Sequence, residues 1–353
     1  MKPITFAIAG CGNFTRSALP GMMGAAGWEL TAAVDPDEAS RTAFHAASGL
    51  PADQIFADEL AMYERYRPDV VFVHTPVGTH VENCLHALEA GCNVCCQKPF
   101  VHDLSSGVEL VERASKAGRW ISVAQTSRLT DTSRVIAEAI RDGSIGTPGF
   151  GHHTVYRDRT RLAHSYSAME TWPVIHATGI HTVDLFRFWF GGRIRAVSFR
   201  GIDCAWNPYR DPGAVAGWME MDSGVVMTCL TSFVSAVALD PTRHPYEDNM
   251  IQGSEGALHW NGPWDRGPVE LIRRDAESPM EILPNVDNWP RAMTLLMDSL
   301  ADTLRSNEPL YCPAADNLWS IAALAAAQQS AEHGGRIEDV PAFAARSGLR
   351  WPG

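Results

Sequence analysis

Short apolar runs alternate with amphipathic helical patterns over roughly the first 125 residues. Five of the runs predict strands, and the segments between them repeat apolar positions at the spacing of one helix face. Gly91 and Gly118 stand where two of these helices would end. Such alternation is typical of parallel βαβ units, so the pattern predicts a doubly wound parallel sheet over residues 1–125. The predicted strands cover 5–9, 30–34, 70–73, 93–96 and 120–124, and the helices between them cover 36–47, 80–90 and 104–117.

The pattern changes beyond about residue 125. A predicted helix at 132–141 runs into a loop of Gly and Pro residues at 142–148, and strand-like runs then dominate. Many of these runs lie close enough to form hairpins. We therefore predict that residues 126–353 form a second α+β domain, built on a mainly antiparallel sheet with helices on one face. Its predicted strands cover 149–156, 194–200, 214–221, 225–232, 249–252 and 269–273, and its helices cover 175–190, 289–306 and 314–333.

Composition limits the classes of partner. The chain of 353 residues is long enough for two domains with substantial cores, and its 45% apolar and 20% charged residues are those of a globular protein. The net charge of -12 is spread along the chain, without the clustered Lys and Arg that nucleic acid or an anionic membrane surface requires. We therefore expect no nucleic acid and no membrane as partner.

The sequence predicts a cytoplasmic protein. Gly10 interrupts the first apolar run where a signal peptide would continue, and no run of about 18 apolar residues occurs. Eight scattered cysteines fit reduced thiols. Cys92 and Cys95 have a spacing found in redox and metal motifs, but no second pair is near and the segment is a predicted buried strand. A structural role without a metal is the interpretation that we favour.

The first predicted strand runs directly into Gly10-Cys11-Gly12-Asn13-Phe14-Thr15, where a helix is expected to start. In a Rossmann dinucleotide fold the first Gly permits a tight turn, and the second lets the backbone approach a pyrophosphate at the helix N-terminus. Thr15 occupies the third position, where a Gly or Ala normally allows close contact between helix and strand. The motif alone also fits an ordinary turn between a strand and a helix.

Asp35 supports the dinucleotide interpretation. It ends the second predicted strand, where an acidic side chain can bond the adenosine ribose hydroxyls. A carboxylate there would repel a 2′-phosphate and no Arg follows immediately, so NAD is preferred over NADP. Asp35 before Pro36 also fits a residue that only introduces a helix.

Two polar segments follow predicted parallel strands, at the edge where open α/β sheets place their ligands: Thr75-Pro76 with His80, and Gln97-Lys98-Pro99. With these segments the chain resembles, over nearly its whole length, the Gfo/Idh/MocA family of oxidoreductases, which includes glucose–fructose oxidoreductase and inositol dehydrogenase. The order and spacing of several motifs carry the resemblance. They are the glycine turn, Asp35, Thr75-Pro76 with His80, Lys98-Pro99, Gly143-Ser144-Ile145-Gly146, Gly179-Ile180-His181 with Asp184, and Ile251-Gln252-Gly253-Ser254-Glu255-Gly256.

The resemblance implies transfer of a hydride between a nicotinamide and a carbinol carbon of a sugar, inositol or related polyol. It matches Lys98 to the lysine that contacts the reacting oxygen, and His181 to the histidine that accepts a proton or binds substrate. A solvated lysine and a buried structural histidine are the alternatives. Further substrate contacts are expected at Arg128, Tyr156, Trp172 and His176, with His152, His153 and Arg157 on the same segments. Cofactor contacts are expected at Gly10, Gly12, Asn13, Phe14, Asp35, Thr75, Pro76, His80 and Lys98.

Two departures from the family pattern concern the base and the substrate. Ala177 stands where many members carry an Asp, and His176 is the nearest residue that could replace it. Gln97 replaces the usual Glu before the lysine. On a helix Asp184 shares a face with His181 and could orient its ring, or it could pair with Arg187.

Two other functions fit the same fold. One is an NAD-dependent glycosidase-like enzyme, which oxidises, eliminates and re-reduces without net redox change. The other is a non-catalytic NAD-binding sensor. A homo-oligomer, dimer or tetramer, is a family expectation, with the exposed face of the second sheet as its interface.

Overall fold

The computed structural model describes residues 2–165, 171–235, 248–261, 268–283, 289–306 and 308–350. Contacts divide the chain into two compact units. The first comprises Met1–Thr126 and Trp289–Leu318, and the second comprises Ser127–Asn288 and Trp319–Gly353.

The first unit contains a six-stranded sheet in the order β3-β2-β1-β4-β5-β6, in which every neighbouring pair is parallel. This is the doubly wound Rossmann order, as the sequence predicts. The strands are β1 Ile4–Ala9, β2 Trp28–Val34, β3 Ile55–Phe56, β4 Val70–Val73, β5 Asn93–Cys96 and β6 Ile121–Val123. The helices are α1 Asn13–Met23, α2 Glu38–Ser48, α3 Glu59–Arg65, α4 His80–Glu89 and α5 Leu104–Lys116.

Burial on both faces explains why the central strands are continuous apolar runs. All four residues of β4 and of β5 are buried, which is typical of parallel strands covered by helices. Aspartates cap α2, α3 and α5: Asp37 accepts from the Ser40 N–H, Asp58 from the Ala61 N–H and Asp103 from the Ser106 N–H. Each cap fixes where the chain leaves a loop and enters a helix.

Residues 289–318, which the sequence pattern assigns to the second domain, cluster with the first unit. Helix α8, Trp289–Ser306, packs on α1, where the Thr294 hydroxyl donates to the Gly21 carbonyl at 2.9 Å and the Pro290 backbone leaves no room for a Cβ on Gly21. The segment after α8 lies beside β6, since the Val123 N–H donates to the Cys312 carbonyl at 2.9 Å. The apolar spacing of this segment predicts a helix but not its partner.

The second unit contains a nine-stranded sheet in the order β14-β13-β12-β11-β7-β10-β9-β8-β15. Among the strands that the structure describes, only the pair β7 and β10 is parallel, which confirms the predicted mainly antiparallel sheet. The strands are β7 Pro148–Tyr156, β8 Ile194–Ile202, β9 Ala214–Met221, β10 Val226–Ser232, β11 Asp248–Gly253, β12 Gly256–Asn261, β13 Val269–Arg273, β14 Met280–Leu283 and β15 Glu338–Asp339. Helix α6 is Asp131–Arg141, α7 is Ile180–Phe190, α9 is Ala314–Glu332 and α10 is Val340–Ala345.

The helix predicted at 175–190 is not uniform. Its first part, Val174–Gly179, is a π-helical turn, and α7 follows it from Ile180. Wide turns of this kind are common at functional sites, and this one carries His176 and Ala177. None of the helices that the structure describes has the length and apolar character that a membrane crossing requires.

Candidate active site

A tight glycine turn connects β1 to α1. Gly10 has φ of +98°, and a Cβ on it would lie 2.8 Å from the carbonyl carbon and oxygen of His74. A Cβ on Gly12 would meet no atom within 4 Å, so this backbone faces open space. No side chain caps the N-terminus of α1 among the described residues, which leaves its first N–H groups for an anion.

Thr15 takes the place of the third small residue without separating helix from strand. It is fully buried, and its hydroxyl donates to the Gly10 carbonyl at 2.6 Å and lies 3.2 Å from His74 Nδ1. Phe14 stays partly exposed, with its ring edge-on to His74 at 5.1 Å. Thr15 therefore stabilises the glycine turn through a buried hydrogen bond to Gly10.

Asp35 is tied to the glycine turn by its carboxylate. Oδ2 accepts from the Cys11 N–H at 2.7 Å, and Oδ1 accepts from the Asp37 N–H at 2.9 Å. The cap of α2 is Asp37, not Asp35. Asp35 is thus held against the turn rather than serving as a helix cap.

The loop after β4 and the segment after β5 meet the glycine turn at the same sheet edge, because β4 pairs with both β1 and β5. The buried His80 ring links them: Nε2 lies 2.9 Å from the Thr75 carbonyl, and Nδ1 lies 3.1 Å from the Pro99 carbonyl. Burial lowers the pKa of His80. His80, predicted as a cofactor contact, therefore acts through the backbone segments that it ties together.

Lys98 is half-buried at this edge, and its peptide bond to Pro99 is cis. Its backbone N–H donates to Oε1 of the Gln97 side chain at 2.8 Å. The amide that replaces the family Glu is thus folded back onto the lysine backbone.

These residues fit a dinucleotide. The turn offers open space beside Gly12, uncapped N–H groups on α1 and a fixed carboxylate at the end of β2, which are the three features that a pyrophosphate and an adenosine ribose require. Asn13 and Phe14 begin α1 at the same place, and Pro76 is exposed on the neighbouring loop. The predicted cofactor residues of the first unit share one edge of its sheet.

His181 is held by a residue that the sequence pattern does not indicate. It lies half-buried in the first turn of α7, and the buried Ser127 hydroxyl is 2.9 Å from its Nδ1. Such a bond fixes the orientation of the ring and its tautomer. Ser127 was missed because it lies 54 residues away in the chain and belongs to no recognised motif.

Arg128, expected to bind substrate, forms a bidentate ion pair with Asp184. Nε and Nη2 each donate to one carboxylate oxygen at 2.6 Å, with the Asp184 side chain 1% exposed and that of Arg128 12% exposed. Asp184, considered from the sequence as a partner for His181 or Arg187, therefore takes Arg128 as its main cation. Arg187 donates to the Ser320 hydroxyl at 2.9 Å. The ion pair thus neutralises a buried carboxylate, and a contact of Arg128 with substrate stays a prediction.

His176, proposed from the sequence to replace an Asp at Ala177, faces α9. Its Nε2 lies 2.6 Å from Gln328 Oε1, and the Gln328 amide donates to Glu332 at 2.8 Å. The ring is thus tied to a neighbouring helix through Gln328.

Tyr156 and Trp172 differ in exposure. Tyr156 ends β7 and is half-buried, opposite Ser232 of β10. Trp172 is only 8% exposed, and its ring lies where a Cβ on Gly201 would be 2.8 Å from Cη2. The Trp172 ring therefore packs against the sheet, and its contact with substrate stays a prediction.

His153 and Cys92 are buried, and burial shifts the pKa of each side chain. His153 is 2% exposed against Phe186, and burial lowers its pKa to about 3. Burial likewise raises the pKa of the Cys92 thiol to about 11, which keeps it protonated and unreactive. Among the residues that the structure describes, no group of three or more His, Cys, Asp or Glu side chains could hold a metal ion.

Two family models match the chain and together cover more than half of it. The oxidoreductase family model with an NAD-binding Rossmann fold matches residues 4–125, and the GFO/IDH/MocA C-terminal domain model matches residues 133–259. The chain belongs to the Gfo/Idh/MocA family. It is therefore an oxidoreductase with an NAD-binding domain, as the resemblance implies.

Curated relatives in the Gfo/Idh/MocA family act on sugars and inositol. D-apiose dehydrogenase of Paraburkholderia graminis is 25% identical over 96% of this chain and 90% of its own length. Inositol 2-dehydrogenase of Mycolicibacterium gilvum is 28% identical over 61% of this chain and 59% of its own length. D-glucoside 3-dehydrogenase of Escherichia coli is 26% identical over 80% of this chain and 83% of its own length.

Solved oxidoreductase structures share the fold over nearly the whole chain. An oxidoreductase from Agrobacterium radiobacter, in complex with NAD+, L-tartaric acid and magnesium, superposes with a TM-score of 0.86 at 20% identity, covering 97% of this chain and 100% of that one. An inositol dehydrogenase homolog from Azotobacter vinelandii, complexed with NADH and myo-inositol, gives a TM-score of 0.79 at 19% identity, covering 96% and 98%.

Proposed function

We propose that this Gfo/Idh/MocA chain is an NAD(P)-dependent dehydrogenase or reductase that acts on a CH–OH group of a sugar, inositol or related polyol. The observation that carries the proposal is the edge of the first sheet, where the glycine turn, the Asp35 carboxylate and Lys98 lie together. The sugar and inositol dehydrogenases among its relatives support the substrate class.

Lys98 is the residue that we assign to the reacting oxygen. A lysine beside a carbinol or carbonyl oxygen hydrogen-bonds to it and exchanges a proton with it as the attached carbon loses or gains a hydride. Its place directly after buried β5, on a half-buried segment, limits the water around it. When bound, the nicotinamide accepts or donates the hydride, and Lys98 accepts or donates the proton.

His181 is the residue that we assign to proton acceptance or to substrate binding in the second unit. The bond between its Nδ1 and the Ser127 hydroxyl fixes the ring, and we assign proton exchange to Nε2. Ala177 provides no carboxylate, and His176 faces Gln328. The acid–base chemistry thus rests on Lys98 and His181, without the additional family Asp.

Asp35 is the basis for preferring NAD over NADP. A carboxylate bonds the ribose hydroxyls of NAD and repels an added phosphate. Its two bonds to backbone N–H groups fix it in place at the turn.

The first experiment follows absorbance of the reduced cofactor with NAD+ or NADP+ and a panel of inositols, aldoses, sugar lactones and deoxy sugars. Lys98→Ala is compared with Lys116→Ala, whose side chain is 78% exposed on α5. We expect one substrate group to be oxidised by wild type and by Lys116→Ala, and not by Lys98→Ala.

Other outcomes would replace the proposal. Glycoside cleavage with retained cofactor and no bulk NADH would indicate the glycosidase-like enzyme. Cofactor binding without turnover on any of these substrates, in either direction, would indicate the sensor.

A further inference from the structure

Two arginines are anchored to the backbone around the glycine turn. Arg41, the fourth residue of α2, donates from Nη1 to the carbonyls of Asp35 at 2.8 Å and Pro36 at 2.9 Å. Arg16, on α1, donates from Nη1 to the Cys11 carbonyl at 2.7 Å. Both side chains are half-buried, so their position is set by the fold rather than by solvent.

Arg41 uses only part of its donor capacity. A guanidinium carries five N–H donors in a planar fork. Among the residues that the structure describes, the hydrogen bonds of Arg41 all come from Nη1, and Nε and Nη2 donate to no protein group. Three charge-carrying donors therefore remain at the junction of β2 and α2, directly beside Asp35.

Acidic and basic side chains lie together around the turn, and Arg41 also acts electrostatically on the exposed Asp37. Burial, followed by the nearby Asp35, raises the pKa of the Cys11 thiol to about 12, while Arg16 and Arg41 act in the opposite sense. Both guanidinium groups are thus within electrostatic range of the turn. The repulsion that Asp35 alone would exert on an added phosphate is offset by cations that the fold brings to the same place.

No Arg follows Asp35 immediately in the sequence, which is one reason to expect NAD. In the structure, the short connection into α2 brings Arg41 back to the Asp35 carbonyl from six positions along the chain. An acidic residue for the ribose and an arginine for a 2′-phosphate are alternative devices in dinucleotide folds. This turn contains both.

We propose that Arg41 binds the 2′-phosphate of NADP, so that the chain accepts NADP as well as NAD and Asp35 sets only a modest preference for NAD. The inference rests on the proposed dinucleotide function. Asp35 bonds the ribose of NAD, and Arg41 presents Nε and Nη2 to a phosphate placed beside it. Arg16 adds charge on the other side of the turn.

The test measures binding by calorimetry, without turnover. The ligands are NAD+, NADP+, 5′-AMP and adenosine 2′,5′-bisphosphate, so that the last two isolate the adenosine end. The variants are Arg41→Ala and, as a matched control, Arg113→Ala, which removes an exposed arginine paired with Glu109 on α5. Wild type is expected to bind NADP+ within about tenfold of NAD+, since a charge-assisted hydrogen bond contributes about as much as this difference.

Arg41→Ala is expected to weaken NADP+ and the bisphosphate by about tenfold, and to change NAD+ and 5′-AMP by less than about twofold. Unchanged NAD+ binding also shows that the variant is folded. Equal weakening of all four ligands would overturn the proposal, because Arg41 would then only brace the turn. Binding of NAD+ without measurable NADP+ binding by wild type would overturn it as well. If wild type binds neither dinucleotide, the proposed function itself fails.

Discussion

At the scale of single residues, the site is held by partners that lie far apart in the chain. Ser127 reaches His181 across 54 residues, and Arg128 reaches Asp184 across 56. The i, i+3 spacing correctly places His181 and Asp184 on one helix. It cannot show which distant cation pairs with Asp184. A buried carboxylate requires a strong counter-charge, and a bidentate arginine supplies it.

Ser127→Ala is expected to lower kcat roughly fivefold with a smaller change in KM, because the ring of His181 loses the bond that fixes it. Ser127→Thr keeps the hydroxyl and should retain most of the activity. Steady-state kinetics on the substrate found in the panel measures both variants. Equal rates for wild type and Ser127→Ala would show that the hydroxyl does not position His181.

Arg128→Met is expected to lower the free energy of unfolding by about 3 to 5 kcal/mol, because Asp184 is left buried without its counter-charge. Arg134→Ala is the control, since this exposed arginine lies 3.8 Å from Asp131 and should change stability by about 0.5 kcal/mol or less. Denaturant unfolding measures both. A loss of activity at unchanged stability would instead indicate that Arg128 contacts the substrate.

At the scale of elements, the sequence predicts most of the first sheet. Strands such as β4 and β5 are buried on both faces and therefore consist of unbroken apolar runs. The glycine turn and Asp35 are equally visible, since their geometry depends on residues close in the chain. The two-residue strands β3 and β15 carry too few positions for a period to appear. The sequence predicts regular helix where Val174–Gly179 form a π-helical turn, because the apolar spacings of α- and π-helix differ little over six residues.

Gly10→Ala tests the turn as an element. An alanine there must adopt a φ of +98°, and its Cβ collides with the His74 backbone. We therefore expect the free energy of unfolding to fall by about 2 kcal/mol or more and NAD+ to bind more weakly. Gly49→Ala, at φ of +71° with no atom near the new Cβ, should cost only about 1 kcal/mol and leave binding unchanged. Thermal unfolding measures the stability of both variants, and calorimetry measures their affinity for NAD+. Equal stability and equal affinity in the two variants would show that the collision at Gly10 does not matter.

At the scale of the whole molecule, buried histidines set the response to acid. His153 stays neutral in the folded state, because burial lowers its pKa to about 3, whereas in the unfolded chain it takes up a proton below about pH 6.5. Since the unfolded state then binds more protons, folding stability falls as pH decreases from about 6.5 towards about 3. The slope is at most about 1.4 kcal/mol per pH unit for this residue.

His153→Leu should therefore flatten the decline of stability between pH 6.5 and 5, while His333→Leu, at an exposed position, should keep the wild-type slope. Unfolding free energies from denaturant titrations at several pH values provide the measurement. Parallel curves for wild type and His153→Leu would show that acid acts through other groups.

Self-association is predicted for the exposed face of the second sheet. Phe150 is 63% exposed on β7, between Val226 and Gln252 of the neighbouring strands. We expect a dimer or tetramer by light scattering, and a smaller mass for Phe150→Glu at equal secondary structure. A wild-type monomer at micromolar concentration would exclude this assembly.

The return of residues 289–318 to the first unit has a consequence for how the protein is made. A ribosome releases residues 1–126 long before α8 exists, so during synthesis α1 lacks the helix that covers its Gly21 face. A fragment cut at the boundary between the two family matches would carry the same defect permanently. Both segments of the discontinuous unit, residues 1–126 and 289–318, therefore belong in any fragment that is meant to keep this contact.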